Sequence, residues 1–486
     1  MSAPSALSPS ADAPPLALDF DGTLVRTDLL FEKVLRYLKR APWRIVHLAL
    51  WALQGRATLK RNLAARVDLD ATLLPKRDDV IAYARGQAES GRTVIVATAA
   101  DGDVARAMVA HIAPFVSEVL GSDGKTNLKS RAKADALAAR FPQGFAYAGD
   151  SNADIKVWRK AKAAVFAGRS QRLARSAERI TALEATLPDA SPRLSTWIRA
   201  FRVHQWAKNL LVFAPLLLSG LAGDPNAWLA SAIGFFGLSL AASATYILND
   251  LIDIDDDRAH WSKRNRPFAS GDLTIASGMI AAPLTLAAGV ALLSLSGNAA
   301  ALGILFAYLA ISLSYTFRLK RVPILDAAIL GALFSLRLGL GAALVQVPPS
   351  PWLFVFSMML FTSLSFAKRA TEVNRMVERG IATAPGRGYK AADGPVTIAL
   401  GVSLGMIAVL VMVLFLIQEV ERRHIYGAPE ALWLTPVLLG LWLGRVWLLL
   451  GRGELNDDPV AFAIRDRISL ALGAGVLAAF AAALLA

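Results

Sequence analysis

The 486-residue chain has no cysteine, which excludes thiol nucleophiles, cysteine-bound zinc and iron–sulfur clusters and leaves the redox compartment open. Histidine is scarce, with five in all. The N-terminal stretch MSAPSALSPSADAPP lacks both a basic start and a continuous apolar core, so it does not read as a signal peptide; a disordered tail is expected over 1–15. Charge is sparse in the second part. Residues 1–200 hold 30 Lys and Arg with 20 Asp and Glu, whereas 201–486 hold only 22 and 18. No internal repeat is evident. What is abundant is apolar surface: 55% AVILMFWYC and a mean hydropathy of +0.44, above an ordinary globular average. A single soluble protein, a disordered chain and a disulfide framework are all excluded. A net charge of +14 in so apolar a chain fits anionic lipid and phosphorylated substrates better than nucleic acid, and no nucleic-acid partner is expected.

The pattern predicts a soluble head on a membrane body. LALDFDGTL, TVIVATAAD and GFAYAGDSNAD read as buried strands separated by helix-like stretches, which predicts a parallel α/β domain over 16–190. Residues 28–90 are expected to form a small helical cap. Within it WRIVHLALWAL either touches the membrane or, the blander role, packs inside the cap. After a linker or interfacial helix over 191–206, apolar runs near the ~20 residues of a spanning helix predict nine segments: 207–223, 227–249, 275–295, 298–315, 323–345, 351–367, 396–418, 430–450 and 468–486. Loops after the second, fourth, sixth and eighth hold Arg258, Lys263, Arg264 and Arg266; Arg318, Lys320 and Arg321; Lys368, Arg369, Arg375, Arg379, Arg387 and Lys390; and Arg452, Arg465 and Arg467. The others hold only Arg422 and Arg423. By the positive-inside rule these charged loops and the head face the cytoplasm, at a plasma membrane of bacterial inner type. The basic stretch from Lys156 to Lys208 either docks on anionic lipid or is a solvated helix face.

In Asp19-Phe-Asp21-Gly-Thr-Leu two carboxylates two residues apart at a strand end point the same way, and Gly22 with Thr23 lets the chain turn beneath them. One can attack phosphorus while the other protonates the leaving oxygen. A carboxylate approaching a phosphate dianion is repelled, so a divalent cation has to bridge them. Asp150 and Asp154 supply further acidic ligands, and Mg²⁺ suits such an all-oxygen site. Thr98 can hydrogen-bond the transferring phosphoryl group, and Lys129 or Lys133 can neutralise developing charge. These pieces, in this order over about 16–170, resemble the haloacid-dehalogenase-type phosphatase superfamily, with a Rossmann-like α/β fold. The resemblance implies Asp19 as nucleophile, Asp21 as general acid and base, Thr98 as the second motif, Lys133 or Lys129 as the third, and Asp150 with Asp154 as acidic metal ligands.

The second apolar segment ends in Asn249-Asp250-Leu-Ile-Asp253-Ile-Asp-Asp-Asp257, followed by Arg258, His260, Lys263, Arg264 and Arg266. Asp250, Asp253 and Asp257 lie three and four apart and share one helix face. Two Mg²⁺ ions bridging a diphosphate would offset their repulsion, and the cations beyond could grip the remaining phosphate oxygens. An ionisable cluster at a membrane rim is by default functional. NDxxDxxxD at this place resembles the UbiA-type membrane prenyltransferases over roughly 195–486, with an all-α body of nine transmembrane helices. With SYTFRLKRVPILD, SFAKRATEV and NDDPVAFAIRDR, it looks most like their decaprenyl-phosphate phosphoribosyltransferase branch. That resemblance implies transfer of phosphoribose from phosphoribosyl pyrophosphate to a polyprenyl phosphate. Trp261 departs from the branch, which commonly has Pro there. The aromatic prenyltransferases have a second DxxxD after the sixth segment; here the position reads Lys368-Arg369-Ala-Thr-Glu372, which suits an additional phosphate.

The nucleophile in such a transfer is already anionic, so no strong base is needed, and His260 reads as a hydrogen-bonding loop residue. Arg337, inside the fifth segment, either binds phosphate or pairs with an acid such as Asp326. Tyr315, Arg318 and Lys320 could complete a phosphate cage; simple topogenic charge is the other reading of Arg318, Lys320 and Arg321. The fusion implies a reaction sequence, with the body making a polyprenyl-phosphoryl 5-phosphoribose and the head removing the 5-phosphate, for cell-envelope glycans. The alternative is an aromatic polyprenyltransferase using a polyprenyl diphosphate, with an independent phosphatase head.

Overall fold

The computed structural model describes residues 13–123, 126–378, 380, 388–420, 426–455, 459–463 and 465–485. The first twelve residues of the expected tail, and Arg379, Arg387, Arg422 and Arg423, lie outside the described residues. The chain divides into two compact units, Met1–Phe201 with Tyr246–Pro283, and Arg202–Thr245 with Leu284–Ala486.

In the first unit six parallel strands, β1 (Leu16–Leu18), β2 (Val94–Asp101), β3 (Glu118–Ser122), β4 (Ala146–Gly149), β5 (Ala163–Phe166) and β6 (Ala182–Thr186), run in the order β3-β2-β1-β4-β5-β6. This is a doubly wound order, in which the strand sequence reverses beside β1 and leaves a crevice at the carboxyl ends of β1 and β4. The inner strands β1, β4 and β5 read as unbroken apolar runs because both of their faces are covered, whereas the edge strands β3 and β6 are less buried and carry Glu118 and Glu184. Leu16, Leu18, Val94 and Val96 pack on one face, and Ala17, Ile95, Tyr147 and Phe166 on the other.

The cap consists of α1 (Leu29–Arg40), α2 (Ile45–Leu53) and α3 (Arg56–Ala64). It is shorter than the expected 28–90. The chain rejoins the sheet where Arg26 N–H donates to Pro75 O and Arg77 N–H to Leu24 O, and α4 (Asp78–Glu89) buries Val80, Ile81 and Ala84 in the sheet's own core. Around the sheet lie α5 (Gly102–Ile112), α6 (Arg131–Arg140), α7 (Ile155–Trp158) and α8 (Gln171–Ile180), followed by α9 (Leu194–Ala200).

The head does not end at residue 190. The end of α11 (Pro225–Ile252), α12 (Ile254–Ala259) and the start of α13 (Ile275–Ser294) belong to the same unit, and Phe31 and Leu35 of α1 share a cluster with Ile247, Leu251, Ile254, Phe268 and Ile275. No motif announces this merger, because it rests on side chains more than 200 positions apart.

The second unit is helical. It holds Ala214–Leu218 (α10), the first part of α11, the rest of α13, α14 (Ala299–Phe317), α15 (Leu325–Leu344), α16 (Pro351–Glu378), α17 (Gly394–Phe415), α18 (Leu434–Gly451), α19 (Pro459–Ala463) and α20 (Arg467–Leu485). Among the described residues eight helices are long and apolar enough to cross a membrane. The expected segment over 207–223 is not one of them. A 3-10 helix spans Val203–Phe213 and gives way to α10, because Pro215 lacks the N–H that a continuing α-helix would need. This segment nevertheless runs antiparallel to α11: Trp206 Nε1 donates to Ser243 Oγ at 3.0 Å, Asn209 Nδ2 to Ser239 Oγ at 2.9 Å, and Phe213 meets Phe235 and Trp228. Small residues let helices approach closely: a Cβ on Gly289 would stand 2.7 Å from Gly237 O.

Candidate functional site

At the carboxyl ends of β1 and β4, ligand oxygens of Asp19, Asp150 and Asp154 all lie within 4.8 Å of one another. Asp19 Oδ1 accepts the Phe20 N–H at 2.8 Å and contacts Lys133 Nζ at 2.8 Å. Lys133 Nζ also donates to Tyr147 Oη at 2.8 Å, and that hydroxyl donates to Asp154 Oδ1 at 2.9 Å. Of the two lysines left open by the sequence, Lys133 is therefore the one on Asp19, while Lys129 lines the same cavity. Burial pushes the Asp19 carboxyl up, and burial together with the Asp154 charge pushes Asp150 well up. Burial alone would lower Lys133, but Asp19 and Asp154 outweigh it and raise the ammonium above its ordinary value. Asp21 accepts the Leu29 N–H at 2.9 Å, and burial with the adjacent Asp28 raises it well above the carboxylate range. The Asp19 and Asp21 carboxyls are therefore both raised, Asp21 the more strongly. Three carboxylates converging with only oxygen donors fit Mg²⁺.

Thr98 is buried with its hydroxyl accepting the Ala100 N–H at 3.0 Å, and it is Ala99, Ala100 and Asp101 that line the cavity. The cavity has a volume of about 880 Å³ and extends from the acids under α1 and α3 to Thr274, Ile275 and Ala276, where α13 begins. Lys60 of α3 reaches in from the cap, donating to Ala99 O at 2.6 Å and Asn127 Oδ1 at 3.0 Å. Gly22 is fixed by geometry: its φ is +79°, and a Cβ there would meet Asp150 Oδ2 at 2.3 Å. Gly22→Ala is accordingly expected to displace Asp150 and lower any phosphatase activity by roughly 10- to 100-fold, measured on a soluble phosphate ester in the full-length protein.

The aspartate motif begins on the last turn of α11, where half-buried Asn249 accepts the Asp253 N–H through its carbonyl at 2.9 Å. Asp250 and Asp257 are buried and converge on one cation, Arg266, whose Nη1 lies 3.0 Å from Asp250 Oδ1 and 2.6 Å from Asp257 Oδ2. Burial raises the Asp257 carboxyl, with Arg266 opposing. Asp253 is half-buried between the two helices. The donors are again all oxygen, so they fit Mg²⁺ in kind, and the positive charge at Arg266 marks the place where the acids need one. Lys263 and Arg264 are exposed on a short turn. His260 Nδ1 accepts the Ser262 N–H at 3.2 Å, and its ring stacks on Trp261.

Arg258 is a correction. Instead of standing free for phosphate, it is bound to the cap, with Nη2 and Nη1 at 2.7 and 3.1 Å from the two oxygens of Glu32, and Nε donating to Ala269 O. Glu32 is fully buried and also takes Arg36 and the Thr27 hydroxyl. Burial would raise it, but Arg258 and Arg36 outweigh burial and lower it. Arg36 pairs in turn with Asp255, and Lys39 lies 3.5 Å from Asp256. Sequence reading missed Glu32; its signal was an acid inside an otherwise basic amphipathic helix.

The remaining candidates lie in the second unit. The expected end of the sixth segment at 367 is too early: α16 continues to Glu378, so Lys368, Arg369 and Glu372 are helical. Arg369 is buried and pairs with Asp326 Oδ2 at 2.8 Å and with Glu372, while the Tyr389 hydroxyl donates to Asp326 Oδ1 at 2.6 Å. Asp326 is thus engaged by Arg369 and Tyr389, and Arg337 has other partners. Its Nε donates to Asn209 Oδ1 at 2.8 Å, and its guanidinium lies 4.9 Å from the Phe334 ring and 5.2 Å from that of Tyr308. Lys368 and Lys320 are half-buried, Tyr315 half-buried and Arg318 exposed.

Eight long apolar helices and an aspartate cluster at the end of one of them define an integral membrane protein with acid-bearing loops. Residues 210–483 match the UbiA prenyltransferase family, and the chain belongs to that family. It is 39% identical over 471 residues to the uncharacterized protein y4nM of Sinorhizobium fredii, covering 97% of this chain and 91% of that one, so the head is shared as well as the body. The nodulation protein NoeC of Azorhizobium caulinodans is 32% identical over 281 residues, 57% of this chain and 89% of that protein. A decaprenyl-phosphate phosphoribosyltransferase of Mycobacterium tuberculosis is 28% identical over 296 residues, 59% and 93% of the two chains.

Proposed function

We propose that the protein is a bifunctional membrane enzyme in which the body transfers 5-phosphoribose from phosphoribosyl pyrophosphate to a polyprenyl phosphate and the head removes the 5-phosphate. The observation that carries the choice of transfer is the Asp326–Arg369–Glu372 cluster. Where a second aspartate pair would serve a prenyl diphosphate the chain has Lys368, Arg369 and Glu372, and the buried Arg369 is shared between Glu372 and Asp326 of α15. The resemblance to the phosphoribosyltransferase relatives supports the same choice.

In this reading Asp250, Asp253 and Asp257 would hold Mg²⁺, which when bound would supply positive charge to a leaving pyrophosphate. Lys263, Arg264 and Arg266 hold the phosphate oxygens, and Lys320, Lys368 and Arg337 are candidates for the lipid phosphate. The lipid phosphate oxygen bonds to the anomeric carbon as the bond to pyrophosphate breaks. In the head Asp19, Asp150 and Asp154 would hold Mg²⁺, which would lessen the repulsion between carboxylate and phosphate; the Asp19 carboxylate attacks phosphorus as the bond to the sugar oxygen breaks, and Asp21 gives its proton to that leaving oxygen. Asp21 then takes a proton from the water that frees inorganic phosphate.

Two features support a lipid-linked substrate for the head: the cavity reaches the first turn of a membrane-spanning helix, and its volume exceeds what a phosphate alone requires. Contacts within the first unit keep the head beside the acidic loop, and the charge bias of the loops supports a cytoplasmic side for both. The test is mass spectrometry of products from the full-length protein with Mg²⁺, phosphoribosyl pyrophosphate and a polyprenyl phosphate. Lipid-linked ribose is expected. A prenylated aromatic formed only from a polyprenyl diphosphate and an aromatic acid would overturn the assignment.

A further inference from the structure

We infer that α2 of the cap is an in-plane membrane anchor, which seats the head's cavity against a bilayer surface containing anionic lipid. The blander expectation for this helix was packing inside the cap, and the structure leaves its apolar face bare. None of Ile45–Leu53 is buried. Val46, Leu50 and Leu53, at i, i+4 and i+7, form one stripe with exposures of 58, 52 and 86%, and Trp43 and Ile45 extend it at 74 and 60%. The opposite side is occupied, since Leu48 and Trp51 pack on the head core and Trp51 meets Tyr37. The helix therefore has one face seated on protein and one facing outward.

Three observations select lipid as the occupant. The stripe sits in a segment of one charge sign: from Lys33 to Val67 there are nine Lys and Arg and no Asp or Glu, complementary to an anionic surface. Nine residues are far too few to span, whereas a short helix with Trp at one end and basic flanks is suited to lie in the interface. Finally, α1, to which α2 is joined, packs Phe31 and Leu35 on Ile247, Leu251 and Met279, residues of two membrane-spanning helices near the ends at which they join the head. The cap is thereby packed, within the first unit, on the ends of two helices that are long and apolar enough to span, and Ala52 of α2 itself lines the cavity. The anchor would hold the cavity where a phosphate on a lipid can enter. That consequence rests on the phosphatase reading; the anchor itself does not.

The absence of native cysteine makes the test clean. Val46→Cys, Leu50→Cys and Leu53→Cys, with Glu89→Cys as a control on α4, are each spin-labelled in the full-length protein in nanodiscs of phosphatidylcholine and phosphatidylglycerol. Labels at 46, 50 and 53 are expected to be relaxed by oxygen more than by a water-soluble nickel chelate, and the label at 89 the reverse. Preference for the chelate at all three overturns the anchor, as does strong spin–spin broadening between copies at 50, which would assign the stripe to a second chain. In a second arm, the combined Val46→Glu, Leu50→Glu, Leu53→Glu variant is expected to hydrolyse p-nitrophenyl phosphate within about two-fold of wild type but to convert the lipid-linked 5-phosphate at least ~10-fold more slowly. Equal conversion overturns the role in seating substrate. Failure of wild type to hydrolyse either ester sinks the phosphatase reading and leaves the label depths to decide the anchor alone.

Discussion

Asp250→Ala is expected to abolish ribosylation of the lipid, and Asp19→Asn to leave ribosylation intact while stopping the product at its 5-phosphate. The asymmetry follows from where the two acids sit. Asp250 is buried at the end of α11 and shares Arg266 with Asp257, so its removal takes a ligand from the cation and leaves Arg266 with half of its compensation. A loss of about 10³-fold or more in transfer is expected. Asp19 lies at the end of β1 on a different set of partners, Lys133 and the Phe20 N–H. Asn preserves its shape and its acceptor oxygen while removing the nucleophile, so the fold should hold and the first step of ester cleavage should not occur. Mass spectrometry of the lipid product separates the outcomes: lipid-linked ribose from wild type, lipid-linked 5-phosphoribose from Asp19→Asn, and neither from Asp250→Ala. Lipid-linked ribose without the 5-phosphate from Asp19→Asn would show that the head does not act on this product. Phosphoribose from Asp250→Ala at the wild-type rate would remove the aspartate motif from the chemistry.

The acidic positions stand out in the sequence where they are local: Asp19 and Asp21 are two residues apart, and Asp250, Asp253 and Asp257 recur at three and four, spacings at which strand or helix period brings neighbours together. That Asp19 meets Asp150 and Asp154 depends instead on the pairing of β1 with β4, and Asp253 falls at the junction of α11 and α12. The parallel sheet was legible for the same reason, from apolar runs that end in turn residues. Three things were not. The choice between Lys129 and Lys133 depends on how the chain before α6 returns to the sheet, which no local pattern encodes. The 3-10 course of Val203–Phe213 hides inside an apolar run, because hydropathy registers length and not backbone hydrogen bonding; Pro215 was the available signal. The union of the cap with the acidic loop depends on Glu32 meeting Arg258 across 226 positions. Each of these two residues had an adequate local explanation, one as a helix residue and the other as a phosphate ligand, and only the fold shows that they are each other's partner.

Glu32→Ala should therefore be among the most damaging single substitutions, although Glu32 belongs to neither acid cluster. Its carboxylate is fully buried and compensates two guanidinium groups, Arg258 at 2.7 Å and Arg36 at 2.6 Å, while accepting the Thr27 hydroxyl at 2.6 Å. Removing one partner of a buried pair leaves an uncompensated charge, at about 3–5 kcal/mol. Because Arg258 sits one residue after Asp257, loosening it also frees the helix that carries the transferase acids. Transfer should fall by roughly 10- to 100-fold, as for loss of other groups that orient a metal ligand. Glu32→Gln keeps the shape and should lose less stability. Adding Arg258→Ala to Glu32→Ala should recover part of the loss, since the orphaned guanidinium is then gone. The pH dependence has a defined sign. Arg258 and Arg36 hold the folded carboxyl below its ordinary value despite burial, so its contribution is complete above the ordinary carboxyl range and disappears as pH falls through the lower folded value. Wild type and Glu32→Gln should differ in thermal midpoint at neutral pH and begin to converge only once the pH falls below the ordinary Glu value of about 4.3, with hydrogen exchange over 253–272 faster in the variant only at the higher pH. Equal midpoints at neutral pH would mean that the cap and the acidic loop are held together by the apolar cluster around Phe31, Leu35 and Phe268 and not by charge.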